Sequence, residues 1–184
     1  MELQQLLKEC KKNSVTAQKY LFDHYAVSMF LLCRRYVKTD ESAEEVMMNG
    51  FLKFFTSIQQ FNYVNDAATL GWLKKITVNE CLMYLRRHNS FLQVCVDDVP
   101  EMIFEEEIIS RISAEEILKL ITQLPLGYRT VFNLYEIENY SHKEIAHLLG
   151  ISEGTSKSQL NKAKNLLQQL LIKKDSAYAS RKCK

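Results

Sequence analysis

The 184-residue sequence predicts an all-α protein made of two small helical domains joined by an acidic linker, with a helix-turn-helix in the C-terminal domain. Apolar residues recur at steps of three and four along most of the chain, which is the period of an amphipathic helix. Only five glycines and two prolines are present, too few for a turn-rich β fold. The hydrophobic fraction of 47% and the charged fraction of 25% are ordinary for a folded soluble protein.

The first 38 residues predict two helices that form a core hairpin, with a break at Asn13 and Ser14. Arg34, Arg35 and Lys38 suit the negative end of the second helix. The apolar positions of this pair are Leu3, Leu6, Leu7, Tyr20, Leu21, Tyr25, Met29, Leu32 and Cys33.

A third helix is expected from Asp40 to Ser57, with Asp40 as a cap and acids in its first turn. One face is apolar and suits packing. The rest of the surface mixes acidic and apolar groups: Glu44, Glu45, Met48, Asn49 and Leu52. Exposed Met and Leu beside acids are typical of a docking patch, and the alternative is a partly buried helix with a solvated edge.

Phe61 to Ala68 predicts a loop whose aromatic residues suit stacking on a nucleic-acid base. The helix expected from Leu70 to Arg87 carries Asn79 in a narrow apolar stripe, where an amide needs a hydrogen-bonding partner. That partner is either the backbone or an external group. Cations surround the stripe and suit phosphates or a solvated face: Lys74, Lys75, Arg86 and Arg87.

A linker follows, because His88 to Arg111 shows no clear period and contains Pro100. Eight acids lie between Asp97 and Glu116 against one base. The expected organisation is therefore a first domain at 1–88, an acidic linker at 89–112, a second domain at 113–174 and a flexible basic tail at 175–184.

Two capping boxes mark helix starts in the second domain, Ser113 with Glu116 and Ser141 with Glu144. Gly150 suits the left-handed end of the helix that begins after Ser141, and Ser152 then caps another helix. This layout predicts a helix-turn-helix, which presents its second helix to a DNA major groove.

The second helix divides into two faces on a helical wheel. Leu160, Ala163, Leu167 and Leu170 gather on the inner face, with Ser156 beside them. Opposite them lie short hydrogen-bonding residues and cations, which suit base edges and phosphates. Counting the cap and two flanking residues, the outward set is Ser152, Gly154, Thr155, Lys157, Ser158, Gln159, Asn161, Lys162 and Asn165. The alternative is an ordinary amphipathic hairpin with a solvated polar face.

No signature of an enzyme is present: there is no Gly-rich phosphate loop, GxSxG elbow or HExxH helix. The four histidines are dispersed and the five cysteines form no CxxC pair, so neither a metal nor another cofactor is expected. Scattered thiols and the lack of an apolar leader or membrane span favour a cytoplasmic protein. Because no enzyme signature is present, no small-molecule substrate is expected. Whether the cysteines sense oxidants stays open at this point.

Two separated blocks carry a resemblance to a known family. LPLGYRTVFNLYEIENYSHKEIAHLLGISEGTSKS resembles the C-terminal, −35-reading domain of extracytoplasmic-function (ECF) sigma factors. DESAEEVMMNGFLKFF followed by GWLKKITVNECLMYLRR resembles their N-terminal domain. The resemblance covers roughly Thr16 to Ile172.

The resemblance implies a non-catalytic factor that binds core RNA polymerase and promoter DNA, with an anti-sigma factor, often membrane-anchored, as a further partner. The implied polymerase contacts are Glu44, Glu45, Met48, Asn49 and Leu52. The implied −10 contacts are Phe61, Asn62, Tyr63, Lys74, Lys75, Asn79, Arg86 and Arg87. The implied −35 contacts are the outward residues of the recognition helix.

Three departures separate the sequence from the family pattern. Met48, Asn49 and Gly50 replace a usual Gln-Glu-Thr, Ser156 replaces a favoured Val, and Gln159, Lys162 and Lys164 stand where arginines are favoured. Lysine lacks the bidentate fork of arginine, so a lower −35 affinity or a different sequence preference is expected. The runner-up hypothesis is a stand-alone helix-turn-helix regulator with a sensing or dimerisation domain, and a third is a helical adaptor that has lost DNA reading.

Overall fold

The computed structural model describes residues 2–88 and 113–182, with side chains described as far as residue 174 apart from residue 114. These two stretches contain eight α-helices and no strand, which confirms the all-α class. The chain divides into two compact units after His88. The predicted linker, 89–112, lies outside the described residues.

The N-terminal unit contains α1 (Leu3–Lys11), α2 (Val15–Tyr36), α3 (Asp40–Ser57), a 3₁₀ turn (Ile58–Gln60) and α4 (Asp66–His88). Ser14 caps α2 by accepting a hydrogen bond from the Ala17 amide at 3.4 Å, which confirms the predicted break.

Two details of this unit differ from the sequence prediction. The cap of α3 is Thr39, which accepts from the Ser42 amide at 3.2 Å, whereas the Asp40 carboxylate lies 2.7 Å from the Arg34 Nε. Helix α4 begins at Asp66 because the Asn65 side chain accepts from the Ala68 amide at 2.7 Å. The loop is therefore shorter than predicted.

Helices α2, α3 and α4 pack against one another around a fully buried core that includes Leu21, Met29, Phe54 and Leu73. Gly50 of α3 lies directly against α4, and a Cβ at that position would lie 3.0 Å from the Thr77 Oγ1. A side chain at position 50 therefore requires Thr77 to move.

The C-terminal unit contains α5 (Ala114–Gln123), α6 (Leu126–Phe132), a π-helical turn (Asn133–Ile137), α7 (His142–Leu149) and α8 (Glu153–Lys182). Both predicted capping boxes are present, and Pro125 separates α5 from α6. Leu120, Ile121, Leu124, Tyr128, Ala163 and Leu167 form a buried cluster in this unit.

Helices α7 and α8 form the predicted helix-turn-helix. Gly150 adopts a left-handed conformation with φ of 68° at the end of α7. Ser152 then accepts a hydrogen bond from the Thr155 amide at 3.0 Å. Helix α8 continues through residues 175–182, which the sequence assigns to a tail.

Candidate nucleic-acid interface

The first turns of α8 present a polar surface on the C-terminal unit. Six of the nine predicted contact residues are exposed and a seventh, Lys162, is half-buried. The exposed six are Ser152, Gly154, Thr155, Lys157, Ser158 and Asn161. This surface combines a helix N-terminus, small hydroxyl side chains and cations, so it suits a DNA groove and its phosphates.

The other two predicted contact residues do not lie on this surface. Gln159 is 5% exposed and Asn165 is 8% exposed. The helical wheel misplaced them because α8 packs against α5, α6 and α7, which cover more of its circumference than one apolar stripe. Gln159 and Asn165 therefore belong to the interior of the unit.

A polar contact joins the two helices of the helix-turn-helix. Ser156 is fully buried, and its Oγ lies 2.9 Å from the Nδ1 of His142. The His142 ring stacks on Tyr135 with ring centroids 4.4 Å apart. Burial, followed by the nearby Lys157, lowers the pKa of His142 below its usual value. The wheel placed Ser156 beside the apolar face, but no pattern in the sequence pointed to its partner.

The loop before α4 is tied to that helix by aromatic stacking. Phe61 stacks on Trp72 with centroids 4.4 Å apart and planes 7° from parallel, and Trp72 also contacts Phe54 at 4.7 Å. The Tyr63 hydroxyl donates to Asp66 at 2.7 Å. Asn62 is exposed between these two anchored aromatics. The sequence predicted the aromatic loop but not its stacking on Trp72.

Asn79 lies on the outer side of α4, half-buried, and no hydrogen bond of its amide falls within the described part of the chain. Steps of three, four and seven place Trp72, Lys75, Asn79 and Arg86 on one helical face. Lys75 and Arg86 are exposed on either side of the amide. The exposed Lys74 and Arg87 lie around the edges of this face. The arrangement offers an amide hydrogen-bonding group between two exposed cations, which suit phosphates.

The outer surface of α3 is apolar with an acidic border. All five residues of the predicted docking patch on α3 are exposed, including Met48 at 54% and Leu52 at 64%. A groove of about 390 Å³ lies beside them, between α2 and α3. It is lined by Ala26, Val27, Phe30, Glu44, Met47 and Met48. Exposed apolar groups around a groove are typical of a protein-docking surface.

Two other kinds of site are not found in the described parts of the chain. No α-helix within residues 2–88 or 113–182 is long and apolar enough to cross a membrane. The same residues contain no group of three or more His, Cys, Asp or Glu side chains placed to hold a metal ion.

Comparison with protein-family models matches residues 21–91 to Sigma-70 region 2 and residues 114–167 to Sigma-70, region 4. The ECF RNA polymerase sigma factor SigM of Mycobacterium tuberculosis is 28% identical over 161 residues, covering 85% of this chain and 80% of that protein. SigW of Bacillus subtilis is 25% identical over 187 residues, covering 93% and 97%. The chain belongs to the ECF sigma factors.

A solved sigma factor shares the fold. The RpoE sigma factor of Bartonella quintana, solved with the anti-sigma factor NepR, aligns with a TM-score of 0.52 at 19% identity. The alignment covers 84% of this chain and 96% of that one. As an ECF sigma factor, the protein directs promoter-specific transcription initiation and is not an enzyme.

Two buried residues at which the sigma factor departs from its family, Gly50 and Ser156, have a structural reason. Gly50 allows the close approach of α3 to Thr77 on α4. Ser156 provides the hydrogen-bonding partner of His142, so a polar contact replaces the expected apolar one. Neither change alters the exposed surfaces of α3 or α8.

Proposed function

We propose that this sigma factor binds core RNA polymerase through α3, captures a −10 base beside α4 and reads the −35 element with α8. The single observation that carries the −10 part of the proposal is the half-buried Asn79 amide, which has no hydrogen bond within the described residues and follows Lys75 and precedes Arg86 on one face of α4. The amide of a structural asparagine in an apolar stripe is expected to hydrogen-bond to other groups of the protein. The amide of an asparagine that reads a base is expected to remain available for that base.

The −10 site is the surface formed by the stacked loop and α4. A base taken out of the duplex needs a hydrogen-bonding group for its Watson–Crick edge and an aromatic surface for its face. Asn79 supplies the first, and Phe61, Asn62 and Tyr63 border the site. Lys74, Lys75, Arg86 and Arg87 hold the phosphates of the single strand.

The −35 site is the exposed N-terminal surface of α8. Ser152, Gly154 and Thr155 lie at the helix N-terminus, where backbone N–H groups favour a phosphate. Lys157, Ser158 and Asn161 face the base edges and the adjacent backbone, with Lys162 at the margin. Gln159 and Asn165 are buried and support the helix from inside.

The polymerase site is the exposed face of α3. Leu52 and Met48 provide apolar contact area, and Glu44 and Glu45 select a basic partner surface, while Asn49 adds a polar contact. The groove between α2 and α3 continues this surface. An anti-sigma factor is a further partner, because the neighbouring Bartonella sigma factor was solved with one. Because core RNA polymerase acts in the cytoplasm, we infer that the protein is cytoplasmic.

The test is size-exclusion chromatography of the purified protein with bacterial core RNA polymerase. Co-elution of the wild-type protein, and its loss in a Leu52→Glu variant that remains folded, supports the α3 interface. Equal co-elution of wild type and variant shows that α3 is not the contact, and no co-elution of either contradicts the proposed polymerase binding.

A further inference from the structure

Two buried thiols meet between helices that are far apart in sequence. Cys33 lies in the last turn of α2 and Cys81 in the middle of α4, and their Sγ atoms are 3.8 Å apart. Both side chains are fully buried. The packing of α2 against α4 therefore brings the two thiols into direct contact.

We propose that Cys33 and Cys81 form a reversible disulfide that fastens α2 to α4. A disulfide bond is about 2.05 Å long, so the two sulfurs must approach by roughly 1.8 Å. Rotation of the two side chains and a small helix shift supply that distance. Both thiols are buried, so this modification site lies outside the exposed surfaces of α3, α4 and α8.

The oxidant is a peroxide, and the reaction proceeds in two steps. One thiolate attacks a peroxide oxygen, the O–O bond breaks, and the sulfur becomes a sulfenic acid while the departing oxygen leaves as water. The second thiol then attacks the sulfenic sulfur, the S–O bond breaks and a second water leaves. The two cysteines lose two electrons and two protons, and the peroxide is reduced to two waters.

Burial sets the conditions for this reaction. A buried thiol does not meet a solute while the helices stay closed, so oxidation follows a local opening between α2 and α4. Burial therefore makes the site respond slowly, over sustained exposure to oxidant. A reductant reverses the bond through the same opening.

Cys10 is the matched control within the same unit. It is also fully buried, on α1, and burial with the adjacent Glu9 raises its pKa to about 11. No thiol contact of Cys10 falls within the described residues. Its burial equals that of the pair, but neither of the other two described thiols contacts it, so it is expected to form no disulfide with them.

The consequence for promoter opening rests on the proposed function. Cys81 follows Asn79 by two residues, so the thiol faces the core while the amide faces outward on the same turn of α4. A close-packed interior transmits a shift of this size. Closure of the disulfide therefore shifts α4, which carries Asn79, relative to α2, and base capture weakens.

The experiment exposes the full reduced protein to hydrogen peroxide and maps disulfides by non-reducing peptide mass spectrometry. The expected result is a Cys33–Cys81 cross-linked peptide that dithiothreitol removes, unchanged in Cys10→Ser and lost in Cys33→Ala and Cys81→Ala. A map without this peptide, or one that shows it only in denaturant, overturns the proposal. The wild-type map decides the question by itself, so misfolding of an alanine variant does not weaken the test.

A second measurement separates this site from the proposed function. Oxidised and reduced protein are each mixed with core polymerase and assayed for promoter opening. Loss of opening that dithiothreitol restores, together with the mapped bond, supports the full proposal. Equal promoter opening by the oxidised and reduced forms overturns the regulatory consequence. Failure of the reduced protein to bind polymerase contradicts the proposed function but does not affect the mapped disulfide.

Discussion

The Nδ1 of His142 lies 2.9 Å from the Oγ of Ser156, so one hydrogen bond joins the first turn of α7 to the first turn of α8. The stacking of His142 on Tyr135 extends this contact to the π-helical turn. The recognition helix is therefore positioned by a polar contact, and its orientation depends on the state of one histidine.

Replacement of Ser156 by alanine is expected to destabilise the C-terminal unit. The change removes the hydrogen bond from a half-buried ring nitrogen, which costs about 0.5–1.5 kcal/mol. Urea denaturation of both proteins measures the difference. Ser158→Ala is the control, because Ser158 is exposed on the same helix. Equal stability of Ser156→Ala and wild type contradicts the assigned contact.

The stability of the unit is expected to fall as the solution becomes acidic. Burial is the main cause of the lowered His142 pKa, with Lys157 and Lys164 adding to it and Glu153 opposing it. The unfolded chain then binds a proton at higher pH than the folded one, at an ordinary pKa of about 6.5. The stabilising effect of neutral His142 is complete above that value and is lost as pH falls through the lowered folded-state pKa.

The measurement for this pH effect is the thermal midpoint of wild type and His142→Gln across pH 5 to 8. The wild-type curve is expected to drop more steeply on the acid side than the variant curve. Parallel curves for the two proteins count against a role for His142.

Lys157→Ala is expected to weaken binding to −35 duplex DNA. Lys157 is exposed on the outward face of α8, and loss of one phosphate contact reduces the slope of log K against log salt by about 0.9. Lys119→Ala is the charge-matched control on α5, where the lysine is paired with Glu115. Equal slopes of log K against log salt for the two variants contradict a phosphate contact of Lys157.

Asn79→Ala is expected to weaken capture of a single-stranded −10 oligonucleotide by holoenzyme about tenfold, within the ~1–3 kcal/mol of a good base contact. Its folding stability is expected to stay close to wild type, because the amide has no bond to lose within the described residues. Fluorescence anisotropy of the labelled oligonucleotide measures the affinity. Asn161→Ala serves as the control, since it is expected to change only −35 binding. If Asn79→Ala lowers the folding stability without changing the affinity, the Asn79 amide has a structural role and does not read a base.

Leu52→Glu is expected to reduce affinity for core polymerase by at least about tenfold, because it places a charge in the centre of an apolar contact. Val15→Glu is the control, since Val15 is 77% exposed at the start of α2 and is not one of the predicted polymerase contacts. Titration of core polymerase against each labelled protein gives the two affinities. A similar loss in both variants indicates a non-specific effect of added charge.

The local signals in the sequence were sufficient for the starts of α5 and α7 and for the end of α7. The capping boxes at Ser113 and Ser141 and the left-handed conformation of Gly150 depend only on a few adjacent residues. They can therefore be predicted from the sequence alone. The exposed faces of α3 and the first turns of α8 follow from the same periodicity.

Features that depend on tertiary packing were not predictable in this way. A helical wheel assumes one buried side, whereas α8 contacts three other helices and so buries Gln159 and Asn165. The Phe61–Trp72 stack and the Cys33–Cys81 contact join residues 11 and 48 positions apart. Their formation depends on how the helices pack, which no single segment encodes.

Footprinting with and without core polymerase tests most directly whether the protein reads both promoter elements as part of a holoenzyme. The DNA is a set of promoter fragments selected from a random library by the reconstituted holoenzyme. We expect protection at two separate elements that requires core polymerase, with Asn79→Ala affecting the downstream element and Lys157→Ala the upstream one. Protection of the same fragments by the protein alone, without dependence on core polymerase, contradicts this function and favours a stand-alone regulator.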